Sequence, residues 1–330
     1  MKVVRIDFRE IPTLEASAAC IGYFDGMHKG HQKLLNLCLK TAKKKHLKSA
    51  VCTFDPDPWT VFYPEKKVHH LFTLEDKIHF AQKQGFDAFY ILTFTKEFAS
   101  NDVASFHEIV KKMHIEHLIC GFDFQYACRN QGNVHTLQQQ SDFAVSVVES
   151  VNEKQIKISS SRIEPLVCQG QVLKANRLLG VVYSIEGTIV KGFQRGSKIL
   201  GIPTANLNAN SEYIQPMVGV YAGMVSVEDR LYGAMINIGN NPTFENKFQT
   251  IEANIFHFNE DIYGKTVRVF FFDKIRDEKK FSGAKELKEQ LLADIETSKK
   301  RLQNHPRLLE NTAELWDKKL FIDALIFDII

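Results

Sequence analysis

At 330 residues, with 44% hydrophobic and 25% charged side chains, the chain has the composition of a soluble globular protein large enough for two domains of ordinary size. A net charge of +3 is too small to argue for a nucleic-acid or membrane-surface partner. The longest apolar run, near Leu325 to Phe327, is interrupted by Asp323 and Asp328, so no bilayer span is expected.

The sequence is organised around residues 20–35. Ala18 to Ile21 reads as a buried strand, and Gly22 and Gly26 permit sharp backbone bends. From Lys29 onward, Leu34, Leu35, Leu37, Cys38 and Leu39 mark a helix. Strand, glycine loop and helix start make a first βα turn, a common anion site. His28 and His31 sit three apart across that helix start, where imidazoles can stabilise charge that builds during phosphoryl or nucleotidyl transfer. The plainer alternatives are a simple turn, core histidines, or a zinc pair, the last without any C-x-x-C to support it. The Lys43 to Lys45 run falls at the predicted helix end, where cations complement the dipole.

Ser49 to Phe54 reads as a second buried strand, ended by the prolines of Asp55-Pro56-Asp57-Pro58. Thr73 and Asp76 form a predicted capping box for a helix that stops at Gly85. Asp87 to Phe94 is a third strand, Asn101 or Asp102 caps a further helix, and His117 to Gly121 is a fourth strand. This alternation predicts a doubly wound parallel sheet with its ligand at the carboxyl ends of the strands. A short amphipathic stretch from Ser159 to Gly180 leads into a different texture. Ser184–Val190, Val218–Val227, Leu231–Ile238, Ile251–Phe258 and Thr266–Asp273 read as short strands of a small antiparallel barrel. Ser282 to Ser298 is a predicted amphipathic helix with Leu287, Leu291, Leu292 and Ile295 on its apolar face. Beyond it, Leu308, Leu309, Ala313, Trp316, Leu320, Ala324 and Phe327 follow helical spacing, to cover either this chain's own core or a dimer contact. Six cysteines (Cys20, Cys38, Cys52, Cys120, Cys128, Cys168) show no paired spacing, and no signal-like segment opens the sequence, so reduced thiols in the cytoplasm are expected.

The string Gly22-x-Phe24-Asp25-Gly26-x-His28-x-Gly30-His31 resembles the signature of the bacterial FAD synthetase branch of the nucleotidyltransferase superfamily. Thr53 to Pro58 resembles that family's T-F-[DE]-P-H-P segment, with Asp57 where His is usual. Gly121 to Ala127, containing Asp123, resembles G-x-D-F-x-F-G, with Ala127 replacing the final Gly. Ser159, Ser160, Ser161 and Arg162 resemble the I-S-S-T-x-I-R segment that closes the nucleotide site, with Glu164 replacing its last Arg. The resemblance implies FMN adenylyltransferase activity, in which His28 and His31 stabilise the transition state while the FMN phosphate attacks the ATP α-phosphorus. Asp57 and Glu164 weaken ATP binding if they face the pyrophosphate and change little if they face solvent.

In the second half, Gly192, Arg195, Gly196, Lys198 and Gly201 form a glycine-rich basic loop ahead of Pro203-Thr204-Ala205-Asn206. This segment resembles the riboflavin kinase signature, followed in order by Gly219-Val220-Tyr221, the Asn237 to Phe244 stretch with Asn241, Glu252, Tyr263-Gly264-Lys265 and Lys274-Ile275-Arg276. By resemblance, Thr204 and Asn206 hold Mg²⁺ and the ATP phosphates, as a hydroxyl and an amide oxygen can. Glu252 takes the proton of the ribityl hydroxyl. Arg276 either meets phosphate or pairs with a neighbouring acid.

The expectation is therefore a Rossmann-like α/β nucleotidyltransferase sheet (1–180), a riboflavin kinase-like β-barrel (181–298) and a helical extension (299–330). It makes FMN and FAD from riboflavin, FMN and ATP, with Mg²⁺, as a monomer or weak homo-oligomer. The rivals are retention of one activity, most plausibly the kinase, or a non-catalytic flavin-binding regulator. Another nucleotidyltransferase would share the histidine motif but leave the second half unexplained.

Overall fold

The structure is a computed structural model that describes residues 1–191, 203–243 and 246–320, excepting the side chains of 241–243 and 246–248. Gly192, Arg195, Gly196, Lys198 and Gly201 of the basic loop, and Ala324 and Phe327 of the tail, lie outside the described residues. The chain divides into two compact units, Met1–Ser160 and Ser161–Ile330.

The first unit holds β1 (Lys2–Ile6), β2 (Ser17–Ile21), α1 (Lys29–Lys45), β3 (Lys48–Asp55), α2 (Pro58–Phe62), α3 (Leu74–Lys83), β4 (Ala88–Thr93), α4 (Lys96–Ala99), α5 (Val103–Lys112), β5 (Ile115–Gly121), α6 (Val134–Gln139) and β6 (Ala144–Val148). A two-residue ribbon of β7 (Asn152–Glu153) and β8 (Ile156–Lys157) follows. The six main strands form one parallel sheet in the order β1-β4-β3-β2-β5-β6. All five residues of β2 are buried, as a strand covered on both faces requires. From β2 the chain winds outward through β3 and β4, then returns to place β5 on β2's other side. Connections thus leave the carboxyl ends of β2 and β5 in opposite directions, opening the crevice where doubly wound sheets take ligands. The capping box of α3 is present, with Asp76 N–H donating to Thr73 Oγ1 and Thr73 N–H to Asp76 Oδ2. The edge strands β1 and β6 were not foreseen. Both carry partly exposed residues, which blunts the apolar run that identifies central strands.

The second unit begins with α7 (Ser160–Cys168, starting at the boundary residue) and α8 (Val172–Leu179). The strands β9 (Tyr183–Val190), β10 (Ala205–Ala209), β11 (Gly219–Val227), β12 (Arg230–Thr243), β13 (Asn246–Ile255) and β14 (Thr266–Arg276) follow. They pair in the antiparallel order β11-β14-β9-β10-β13-β12, and β12 pairs back onto β11, closing a barrel with no free edge among these strands. The closing elements are α9 (Ala284–Gln303), α10 (Pro306–Leu315) and β15 (Lys319–Leu320), the last running parallel to β12. Strand β10 was not foreseen; it lies in the Pro-Thr-Ala-Asn segment, whose polar residues hide its alternation.

Buried polar groups tie the helices to the barrel. The Asn176 amide on α8 donates to the carbonyls of Phe271 and Phe272, and its oxygen accepts from Tyr183 N–H. On α9, the inward position belongs to Asp294, which takes Arg276 in a two-pronged pair with a 2.7 Å contact. Arg276 is thereby committed to a neighbouring acid. Leu292, expected on the apolar face, is 50% exposed instead, because the helix turns Asp294, Ser298 and Leu302 toward the barrel. The tail from α10 to Trp316 covers this chain's own core: Leu309, Ala313, Leu315 and Trp316 are buried, and the Arg268 guanidinium stacks 3.8 Å from the Trp316 ring.

Ala127, at the position where the resembling motif has glycine, has φ 62 and ψ 176. That region is almost reserved for glycine, because a Cβ there crowds the backbone, at a cost of about 1–3 kcal/mol. Ala127→Gly is therefore expected to raise the stability of the first unit by about 1 kcal/mol. Urea unfolding followed by circular dichroism checks this, and an unchanged or lower midpoint refutes the strain.

Candidate active sites

The first site is built on the turn after β2. Phe24, Gly26 and Met27 all have positive φ, of 56, 72 and 42, which folds residues 24–27 into one tight turn and delivers His28 to the start of α1. His28 caps the helix: its Nδ1 accepts the His31 N–H at 3.3 Å. The two imidazoles stack, with centroids 3.6 Å apart and planes 17° from parallel. Phe24 closes the far side, edge-on to His31 at 5.3 Å. The glycine at 30 is forced by this packing, since a Cβ there would stand 2.9 Å from the His28 ring.

Asp25 and Phe24, expected at the nucleotide, are buried beneath the loop, at 3% and 1% exposure. The Asp25 carboxylate accepts the backbone N–H groups of Leu71 and Phe72 at 3.3 and 3.0 Å, and its carbonyl accepts the Ser160 hydroxyl at 2.9 Å. It therefore holds the loop from within. Ser161 and Arg162 follow Ser160 in the first turn of α7. Asp123, after β5, pairs with Lys157, whose ammonium lies 4.8 Å from the Phe122 ring.

Burial is the leading cause that pushes the His28 pKa down to about 4, with Lys157 adding repulsion against Asp123's attraction. His31 is lowered as well, by burial first and then by His28, Lys77 and Lys157. Both rings are neutral at physiological pH, and His31 Nδ1 is buried with no hydrogen-bond partner among the described residues. Lys77, which the sequence reading passed over, lies buried on α3 with its ammonium 4.1 Å from the Tyr23 ring. Its signal was a lysine sharing the inward stripe of Phe80 and Ala81. Asp57 neither faces solvent nor stands free: its side chain is 8% exposed and meets His70 Nε2 at 3.1 Å.

The second site lies on the β10–β13 ladder. Asn206 stands directly opposite Glu252, and Asn237 on β12 stands opposite Glu252 on its other side. Registered partners share a face, so these polar residues form one row across three strands. Burial raises the Glu252 pKa above its ordinary value. The alternate residues Ala205 and Ala253, with Pro203, Thr204, Phe258 and Tyr263, line a cavity of about 350 Å³. Asn254, not singled out in the sequence, donates its amide to the Pro203 carbonyl at 2.8 Å and so fixes the backbone entering Thr204. Asn241 sits on β12 opposite Phe248, and its side chain lies outside the described part.

Two family models match the chain in succession, FAD synthetase over residues 10–162 and riboflavin kinase over 179–302. The chain is 38% identical over 285 residues to the bifunctional riboflavin kinase/FMN adenylyltransferase of Bacillus subtilis, covering 84% of this chain and 90% of that one. The protein of the same name from Listeria monocytogenes is 36% identical, covering 83% and 88%. A crystal structure from Streptococcus pneumoniae, described as a macrolide-efflux protein, is 34% identical with a TM-score of 0.85, covering 90% of this chain and 99% of that one. With both domains in the same order and relatives matched over nearly their whole length, the chain belongs to the bifunctional riboflavin kinase/FMN adenylyltransferase family.

Proposed function

We propose that the chain phosphorylates riboflavin to FMN with ATP and then adenylylates FMN to FAD with release of pyrophosphate, each step at its own site. The observation that carries this is the pair of separate constellations, the stacked His28–His31 at the crevice of the parallel sheet and Glu252 in register with Asn206 on the barrel. We assign the adenylylating domain to 1–180, the phosphorylating domain to 181–298 and a helical extension to 299–330. The family models end at 162 and begin at 179, and α7 and α8 occupy the interval. Six unpaired cysteines fit a reducing, cytoplasmic setting, and among the described residues no helix is long and apolar enough to cross a membrane.

On the barrel, Glu252 takes the proton of the ribityl hydroxyl as that oxygen attacks the γ-phosphorus. Its raised pKa brings it nearer the working pH, which favours a general base. Magnesium supplies charge neutralisation for the phosphates. The Thr204 hydroxyl and Asn206 amide suit it as hard oxygen donors, and no cluster of three acidic, His or Cys ligands exists among the described residues to hold a metal independently. On the parallel sheet, the flavin phosphate attacks the α-phosphorus, and His28 and His31 donate hydrogen bonds to oxygens whose charge grows in the transition state. Gly22, Gly26, Asp123, Ser159, Ser160, Ser161 and Arg162 contribute to the same nucleotide site, and Gly192, Arg195, Gly196, Lys198, Gly201, Pro203 and Asn241 to the kinase site. A disabled adenylylation site is not favoured, because both family models match in succession and the relatives matched over most of their length carry the bifunctional name.

Glu252→Gln is expected to cut FMN formation by about 10²–10⁴-fold and to spare FAD formation from added FMN. His28→Ala is expected to cut FAD formation by about 10²–10³-fold and to spare the kinase. Chromatography of products from riboflavin or FMN, each with ATP and Mg²⁺, reads both; loss of both activities in either folded variant refutes two independent sites.

The histidine pair also sets a pH dependence. The folded pKa of His28 near 4 lies below its ordinary 6.5, so the unfolded chain binds the proton first as pH falls. Its share of stability is intact above pH 6.5 and is lost progressively down to about 4. Urea midpoints for the first unit should therefore fall between pH 7 and 4, and less steeply in His28→Gln; equal slopes would refute a neutral buried His28.

A further inference from the structure

Beside the histidine pair, three residues form a hydrogen-bonded chain near the carboxyl ends of β2 and β3. Asp57 Oδ2 lies 3.1 Å from His70 Nε2, and His70 Nδ1 lies 3.2 Å from the Tyr23 hydroxyl. Tyr23 occupies the variable position of the Gly22-x-Phe24-Asp25-Gly26 string and is half-buried. The Asp57 and His70 side chains are 8% and 17% exposed, and the other Asp57 oxygen is buried with no hydrogen-bond partner among the described residues. His70 is fixed in place because the next two backbone amides, of Leu71 and Phe72, are held by Asp25.

A tyrosine hydroxyl carries a single proton, and the charge on His70 decides where it points. When His70 is an imidazolium, Nε2–H donates to Asp57 and Nδ1–H donates to the Tyr23 oxygen. The Tyr23 proton is then free to turn outward. When His70 is neutral, Asp57 keeps the remaining proton on Nε2, Nδ1 becomes an acceptor, and the Tyr23 proton turns inward to it. The two states differ by one proton exchanged with solvent.

We infer that Asp57 and His70 are positioning residues that make the Tyr23 hydroxyl a hydrogen-bond donor to a phosphate oxygen of the adenylylation substrates. This rests on the adenylylation reading and explains why an acid can stand at position 57 of a phosphate-handling site: it serves to hold a cation. Burial disfavours charge on His70, but the hydrogen bond and charge of Asp57, together with the charge of Asp25, outweigh burial and the opposing Lys77, leaving its pKa above the ordinary 6.5. Burial lowers the Lys77 pKa, and the charges of Asp25, Asp57, Asp55 and Asp76 oppose that shift.

The test measures FAD formation by the full chain from pH 6 to 8.5, varying FMN and ATP separately, with thermal unfolding and riboflavin phosphorylation followed in the same samples. In the native chain, KM for one substrate should rise through a single ionisation above pH 6.5. A rise for FMN assigns the flavin phosphate as the oxygen bound, and a rise for ATP assigns the triphosphate. Tyr23→Phe should raise that KM about tenfold at low pH and flatten its pH dependence, as loss of one hydrogen bond to a charged group does. Asp57→Asn should move that ionisation to lower pH, because a neutral amide no longer favours the imidazolium. A native KM and pH profile in Tyr23→Phe, or an unmoved ionisation in folded Asp57→Asn, overturns the relay. If Tyr23→Phe fails to fold, the Asp57→Asn shift decides alone. If the native chain makes FMN but no FAD, the adenylylation reading fails and this inference fails with it.

Discussion

The first site depends on one buried carboxylate. Asp25 sits beneath the loop it belongs to and accepts two backbone amides from residues 71 and 72, whose side chains are themselves buried. Those amides precede α3 and would be orphaned donors if Asp25 were absent, each costing about 1–3 kcal/mol when buried. This contact joins the left-handed turn at 24–27, which leads into the stacked histidines, to the chain entering α3. Ser160, donating to the Asp25 carbonyl, ties the end of the first unit to the same point. A carboxylate in a nucleotide-binding string is easily taken for a ligand contact; here its work is mechanical.

Desolvation tunes the reactive groups of both units, with opposite sign for opposite charge types. It lowers the imidazoles of His28 and His31 and raises the carboxyl of Glu252. Burial thus favours the uncharged imidazoles at the first site and a more basic carboxylate at the second. A neutral imidazole stacked on another can gain positive character when a polyanion enters, and a carboxylate with raised pKa accepts a proton more readily. His70 is the exception in the same neighbourhood, because Asp57 lies within hydrogen-bonding distance and outweighs burial.

Much of this was legible in the residues. The strand–glycine–helix unit, the Thr73–Asp76 box and the change from alternating α/β to short strands near residue 184 each follow from local periodicity and capping chemistry, and the structure has them. Edge strands β1 and β6 and the polar strand β10 were missed, because half-exposed or polar strands lack the apolar run that identifies central ones. Leu292 was placed inward by helical spacing, yet Asp294 took that side, since Arg276 from the neighbouring strand offered it a partner. Spacing ranks faces by hydrophobicity and cannot know which buried acid has a cation waiting.

The sequence by itself determined the order of the two architectures and the motifs that carry chemistry, because both reside in short windows of backbone propensity and side-chain type. The tertiary structure alone decided how those motifs are used. It turned Asp25 inward, placed Lys77 over Tyr23, and joined Asp57 to His70 across a stretch that contains a helix. Strand pairing set Asn206 and Asn237 on either side of Glu252 from positions far apart in the chain. Hydrogen bonds and ion pairs of this kind are short-ranged in space, so they exist only once the sheet and the barrel have brought distant residues within about 3 Å of one another.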